Sequence, residues 1–106
     1  MIIKTPVNKI EVELKDFITG REGEEIDKPI MDVRFKIGTS GQGNAEINVG
    51  EAIKKSTEIA VGIVVLSVDG KKEDILNSVL DLPKKDYKFV LDNVDKIVRG
   101  EDFTKP

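Results

Sequence analysis

The chain contains no cysteine and no histidine. Without thiols it has no disulfide, thiolate metal site or cysteine nucleophile, and without imidazole it lacks the commonest general base and transition-metal ligand. Aromatic residues make up only 5%, so no platform for stacking sugar rings is evident. The net charge is −3 and the sequence pI is near 5.0. Basic and acidic residues are spread through both halves, which gives no excess of Lys and Arg to displace counterions from nucleic acid. Long apolar runs are missing too. The N-terminus carries one early Lys and a short apolar pair, a pattern expected of neither a signal peptide nor a membrane-spanning helix, and the expected location is the cytoplasm.

What is present is a chain of 106 residues and 11.7 kDa, with 39% hydrophobic and 35% charged residues. That length suits a single domain over 1–106, with one modest core built from Ile, Val and Leu. From Val7 to Phe17 the sequence alternates, placing Ile10, Val12 and Leu14 on one face and charged residues on the other. This is the period of a half-buried strand, for which Ile2 and Ile3 supply a hairpin partner. Thr19-Gly20-Arg21-Glu22 has the spacing of a capping box and predicts a short helix that ends near Pro29. Met31, Val33, Phe35 and Ile37 alternate with charged residues and favour a second amphipathic strand, although a charged helix continuing past Pro29 also fits several of these positions.

Three glycines in GTSGQGN at 38–44 predict a loop. Asn48 then stands as N-cap of a helix whose apolar or small stripe comprises Val49, Ala52, Ile53, Ser56, Ile59, Ala60 and Ile63. Gly62 interrupts it, and the β-branched run from Ile63 to Val68 reads as a buried strand ended by the Asp69-Gly70 turn; a helix running to Leu66 is the competing reading. A helix is expected from Lys71 to Leu82, broken by Pro83. A last helix then carries Tyr87, Val90, Leu91, Val94, Ile97 and Val98 on one stripe and is capped at Gly100, with a short polar tail over 100–106. The expected fold class is α+β, with three to four helices on a small, mainly antiparallel sheet and helix exceeding strand.

Chemistry is thinly represented. Gly38, Gly41 and Gly43 match neither a Walker loop nor a dinucleotide fingerprint, and a flexible connection explains them better. Glu22, Glu24, Glu25, Asp27 and Asp32 are candidates for a hard cation, but their spacing matches no calcium loop, and solvated surface carboxylates of this kind are ordinary. No catalytic residue, cofactor or metal is therefore expected, and the chain is not expected to be an enzyme. One residue stands out for protein binding. At about 100° per residue, Phe89 falls off the apolar stripe of the last helix, which makes it a candidate for contact with a partner.

Val65-Leu66-Ser67-Val68-Asp69-Gly70-Lys71-Lys72-Glu73-Asp74-Ile75, followed by Leu80-Asp81-Leu82-Pro83-Lys84-Lys85-Asp86-Tyr87, resembles the C-terminal half of phage tail assembly chaperones. In those proteins a V-x-V-D-G segment precedes a D-L-P-x-x-D-Y helix start. Leu14-Lys15-Asp16-Phe17-Ile18-Thr19-Gly20-Arg21-Glu22 is similar to their N-terminal part, so the likeness covers roughly residues 10–28 and 49–98, with 30–48 undiagnostic. The resemblance implies a non-enzymatic protein of long-tailed phages that binds the tape measure protein and helps recruit tail tube subunits. It would work in the cytoplasm of an infected or prophage-carrying host, without nucleic acid or membrane. The alternatives are a tail tube or connector-type subunit that self-associates into rings, or, from another class, a small metal-dependent hydrolase or ligand-binding domain using the acidic cluster at 22–32.

Overall fold

The structure is a computed structural model. It describes residues 1–40 and 49–100, with side chains described for 1–33 and 49–100. The elements run β1 (Ile2–Lys4), β2 (Glu11–Leu14), α1 (Gly20–Ser40), α2 (Val49–Val64), β3 (Val65–Val68), α3 (Ile75–Leu80) and α4 (Lys84–Val98). The strands form one antiparallel sheet in the order β1-β2-β3. The fold is α+β with more helix than strand, as the hydrophobic periodicities lead one to expect.

The alternation in β2 does what a half-buried strand requires: Val12 and Leu14 are fully buried while Glu11 is exposed. Ile3 of β1 pairs with Val12 and packs against the core. On the other side Val12 pairs with Val68, Glu13 with Ser67 and Leu14 with Val65, so Leu66 is an extra residue in β3. This bulge lets Val65 and Val68, three residues apart, both face the core and turns Leu66 outward. Asp69 and Gly70 both have positive φ, 53° and 78°, and Val68 and Lys71 exchange backbone hydrogen bonds across them. Those are the dihedral signs of a two-residue hairpin turn, and Asp-Gly is suited to them.

The capping box at the start of α1 is formed. The Glu22 amide donates to Thr19 Oγ1 at 3.2 Å, and the Thr19 amide donates to Glu22 Oε1 at 3.0 Å. The helix does not stop at Pro29, which lies inside it, and the strand expected over 31–37 is helical instead. The physical reason is a competing period: Ile26, Ile30 and Val33 recur at helical spacing, and Ile26 is buried while Ile30 and Val33 are half-buried. Residues 38–40, expected in a loop, complete the same helix. The rest of that loop, the Asn48 cap and residues 101–106 of the tail lie outside the described residues.

Helix α2 passes through Gly62 and ends at Val64, two residues into the expected strand. Its buried positions Ala52, Ser56, Ala60 and Val64 recur every four residues, so Val64 is the next rung of the stripe. Helix α3 is shorter than the expected Lys71–Leu82 helix, because Lys71 is held in a bridge to Val68 and Asp74 sits at φ 51°, outside helical space. Pro83 precedes α4, and Gly100 closes it at φ 72° with its amide bonded to the Ile97 carbonyl. A continuous cluster of buried side chains unites β2, β3 and the four helices, centred on Val12, Leu14, Val61, Val64, Val79 and Val90.

One buried acid ties the ends of the chain together. Asp86, in the first turn of α4, is fully buried and accepts the Val7 amide at 2.7 Å and the Asn8 amide at 2.9 Å. Thr5, also buried, closes the same β1–β2 connection through its hydroxyl, which accepts the Ile10 amide at 2.9 Å. Burial raises the Asp86 carboxyl, but the amides of Asn8 and Val7, the Thr5 hydroxyl and the Lys9 charge outweigh it and hold the group below its ordinary 3.8. The carboxylate thus replaces water for a loop that has no strand partner at that point.

Candidate functional site

Three helices converge on a groove of about 470 Å³. Ile26 and Ile30 come from α1, Ile53 from α2, and Leu91, Val94 and Val98 from α4. Ile26 and Val94 are buried and form its floor, whereas Ile30, Leu91 and Val98 are half-buried walls. Ile53 stands at the rim, 52% exposed. It lies seven residues before Ala60, two turns along the same face of α2. Ala60 and Ala52 are covered and Ile53 is not, so Ile53 sits at the edge of the covered face of α2.

A polar contact fixes the floor. Ser56, buried between α1 and α2, donates to the Ile26 carbonyl at 2.7 Å. A buried hydroxyl needs such a partner, and a backbone oxygen supplies it without a second polar side chain. Pro29 bears on the same stretch of α1, since it has no amide to give to the carbonyl of Glu25.

The charges around the groove are unequal. Asp27, Asp92, Asp95 and Arg99 line it. Arg99 lies 2.6 Å from Asp95. Asp27 and Asp92, both exposed, have no ion-pair partner among the described residues. The rim therefore carries more negative than positive charge above an apolar floor.

A second depression, of 390 Å³, lies beside the sheet near Leu66 and Phe17. Phe17 is 73% exposed. Lys15 and Glu22 meet there at 2.6 Å. The Lys15 ammonium, then the Thr19 amide, hold the Glu22 carboxyl below its ordinary 4.5 against a smaller opposing effect of burial.

Phe89 is placed elsewhere. The inward face of α4 includes Asp86 as well as Val90, Val94 and Ile97, which moves its centre toward Phe89 and leaves that ring half-buried. Phe89 and Leu91 are about 200° apart around the helix, so Phe89 sits on the shoulder of α4 away from the groove. The acidic residues of α1 also separate: Glu22 turns to Lys15, while Asp27 joins the groove. Among the described residues no three carboxylates gather as a metal site would require. Among the same residues no helix is long and apolar enough to cross a membrane.

The groove was only half legible in the sequence. The stripes of α2 and α4 are legible as helical, whereas Ile30 lies past Pro29, where the sequence predicts the first helix to end, and the meeting of three helices leaves no local signal. Asp86 gave no local signal, because its donors lie 78 and 79 residues away. Comparison with protein-family models, with curated proteins and with solved structures finds no match.

Proposed function

We propose that this chain is a non-enzymatic phage tail assembly chaperone that binds the tape measure protein and helps recruit tail tube subunits. The observation that carries the reading is the acidic-rimmed apolar groove between α1, α2 and α4, with Ile53 left exposed beside it. Such a surface suits an amphipathic helix, whose apolar face enters a groove through residues spaced three or four apart. The segments that resemble the chaperones act as architecture: Asp69-Gly70 turns the β3 hairpin, Pro83 sets the corner before α4, and Asp86 anchors the β1–β2 connection.

Light scattering of the protein alone and with helical fragments of the tape measure protein encoded nearby tests the reading. A stoichiometric complex is the expected result, and Phe89→Ala probes a contact on the other shoulder of α4. A second reading, a ring-forming tail subunit, draws on the outer edge of β1, where Ile2 is 62% exposed. A defined ring formed by the protein alone, with no fragment bound, would replace the chaperone reading with that one.

A further inference from the structure

The geometry points to a specific occupant of the α1–α2–α4 groove: one amphipathic helix whose apolar stripe is flanked by lysine or arginine. The inference rests on the protein-binding reading above and adds the chemistry of the partner. Two independent features carry it. The floor is apolar and bounded by helices, with its Ser56 hydroxyl already satisfied by the Ile26 carbonyl. Among the described residues the groove is lined by helices and by no strand edge that could pair with an extended backbone, so a helix, which satisfies its own backbone, is the element suited to enter.

The second feature is sign. Three carboxylates and one guanidinium line the groove: Asp95 is matched by Arg99, whereas Asp27 on α1 and Asp92 on α4 have no ion-pair partner among the described residues. Basic residues flanking the partner's stripe can approach both while remaining partly solvated, which favours fast, salt-sensitive association and excludes an acidic helix. Ile53 supplies apolar area that the free protein leaves in water.

The test uses the intact protein and two synthetic helices of about 18 residues, five turns long, with the same Leu stripe and flanked either by Lys or by Glu. The Lys-flanked peptide is expected to bind the more tightly, with affinity falling as salt is raised. Ile53→Gln alters an exposed position without adding charge and should leave the thermal melt nearly unchanged while weakening binding about tenfold or more, the loss of one good anchor. Asp92→Lys should narrow or reverse the preference between the peptides. Equal binding of both peptides, no binding of either, or binding indifferent to Ile53→Gln would overturn the inference. So would a dimer that Ile53→Gln dissolves, since a second copy would then own the groove, or binding to anionic vesicles in place of the peptide. A tape measure fragment that binds the native protein and Ile53→Gln alike removes the groove but keeps the chaperone reading. Peptide binding without any tape measure binding does the reverse.

Discussion

Pro29 is the position where sequence and structure disagree most, and replacing it with alanine measures the disagreement. In the structure it lies in the interior of α1, Gly20–Ser40, where it withholds an amide from the Glu25 carbonyl. A proline there costs about 3 kcal/mol relative to alanine. Alanine, however, restores freedom to the unfolded chain worth about 0.4–1 kcal/mol. Pro29→Ala should therefore stabilise the protein by about 2 kcal/mol at most, because any native relaxation around the ring has already recovered part of the cost. With a urea slope of roughly 1–3 kcal/mol/M for a protein of this size, the unfolding midpoint should rise by about 1 M. Circular dichroism at 222 nm during urea titration reads this directly. An unchanged or lowered midpoint would refute the reasoning, since proline is favourable only in the first turn or beyond the end of a helix.

Three further substitutions probe other links. Asp86→Asn should lower the melting temperature at neutral pH. Because the folded carboxyl titrates below 3.8, its contribution is complete above that value and is lost as pH falls through the folded pKa, so the difference from the native protein should shrink in acid. Gly70→Ala meets no atom within 4 Å but must hold φ at +78°, so its cost is purely that of backbone conformation, about 1–2 kcal/mol in urea unfolding. Leu14→Ala empties a fully buried site in the central strand and should cost about 2–5 kcal/mol, whereas loss of less than about 1 kcal/mol would place Leu14 outside the core.

The fold was legible wherever one local signal had no rival. Val12 and Leu14 alternate cleanly, Thr19 and Glu22 have one sensible reading, and Asp-Gly after a β-branched run marks its turn unaided. Errors arose where two periods shared the same residues. Met31, Val33, Phe35 and Ile37 satisfy period two, yet Ile26, Ile30 and Val33 satisfy the helical period, and the helix prevails even against a proline. The end of α2 was misplaced for a similar reason: Ile63 and Val64 favour a strand by residue type, but Val64 completes a helical stripe. The groove and Asp86 belong to a third category, created only when elements far apart in sequence meet.

That separation also sets a timetable for synthesis. The loop between β1 and β2 is completed by Asp86, 79 residues after Val7, and β2 receives its second neighbour only when Val65–Val68 arrives. At about 5–20 residues per second, the ribosome delivers Asp86 roughly 4–16 s after Val7. Until Val65–Val68 arrives, the inner edge of β2 is open, a feature that invites pairing with another chain. A nascent chain halted before α4 holds all three strands but leaves the Val7 and Asn8 amides without the Asp86 carboxylate and the buried face of β2 without Val90 and Val94.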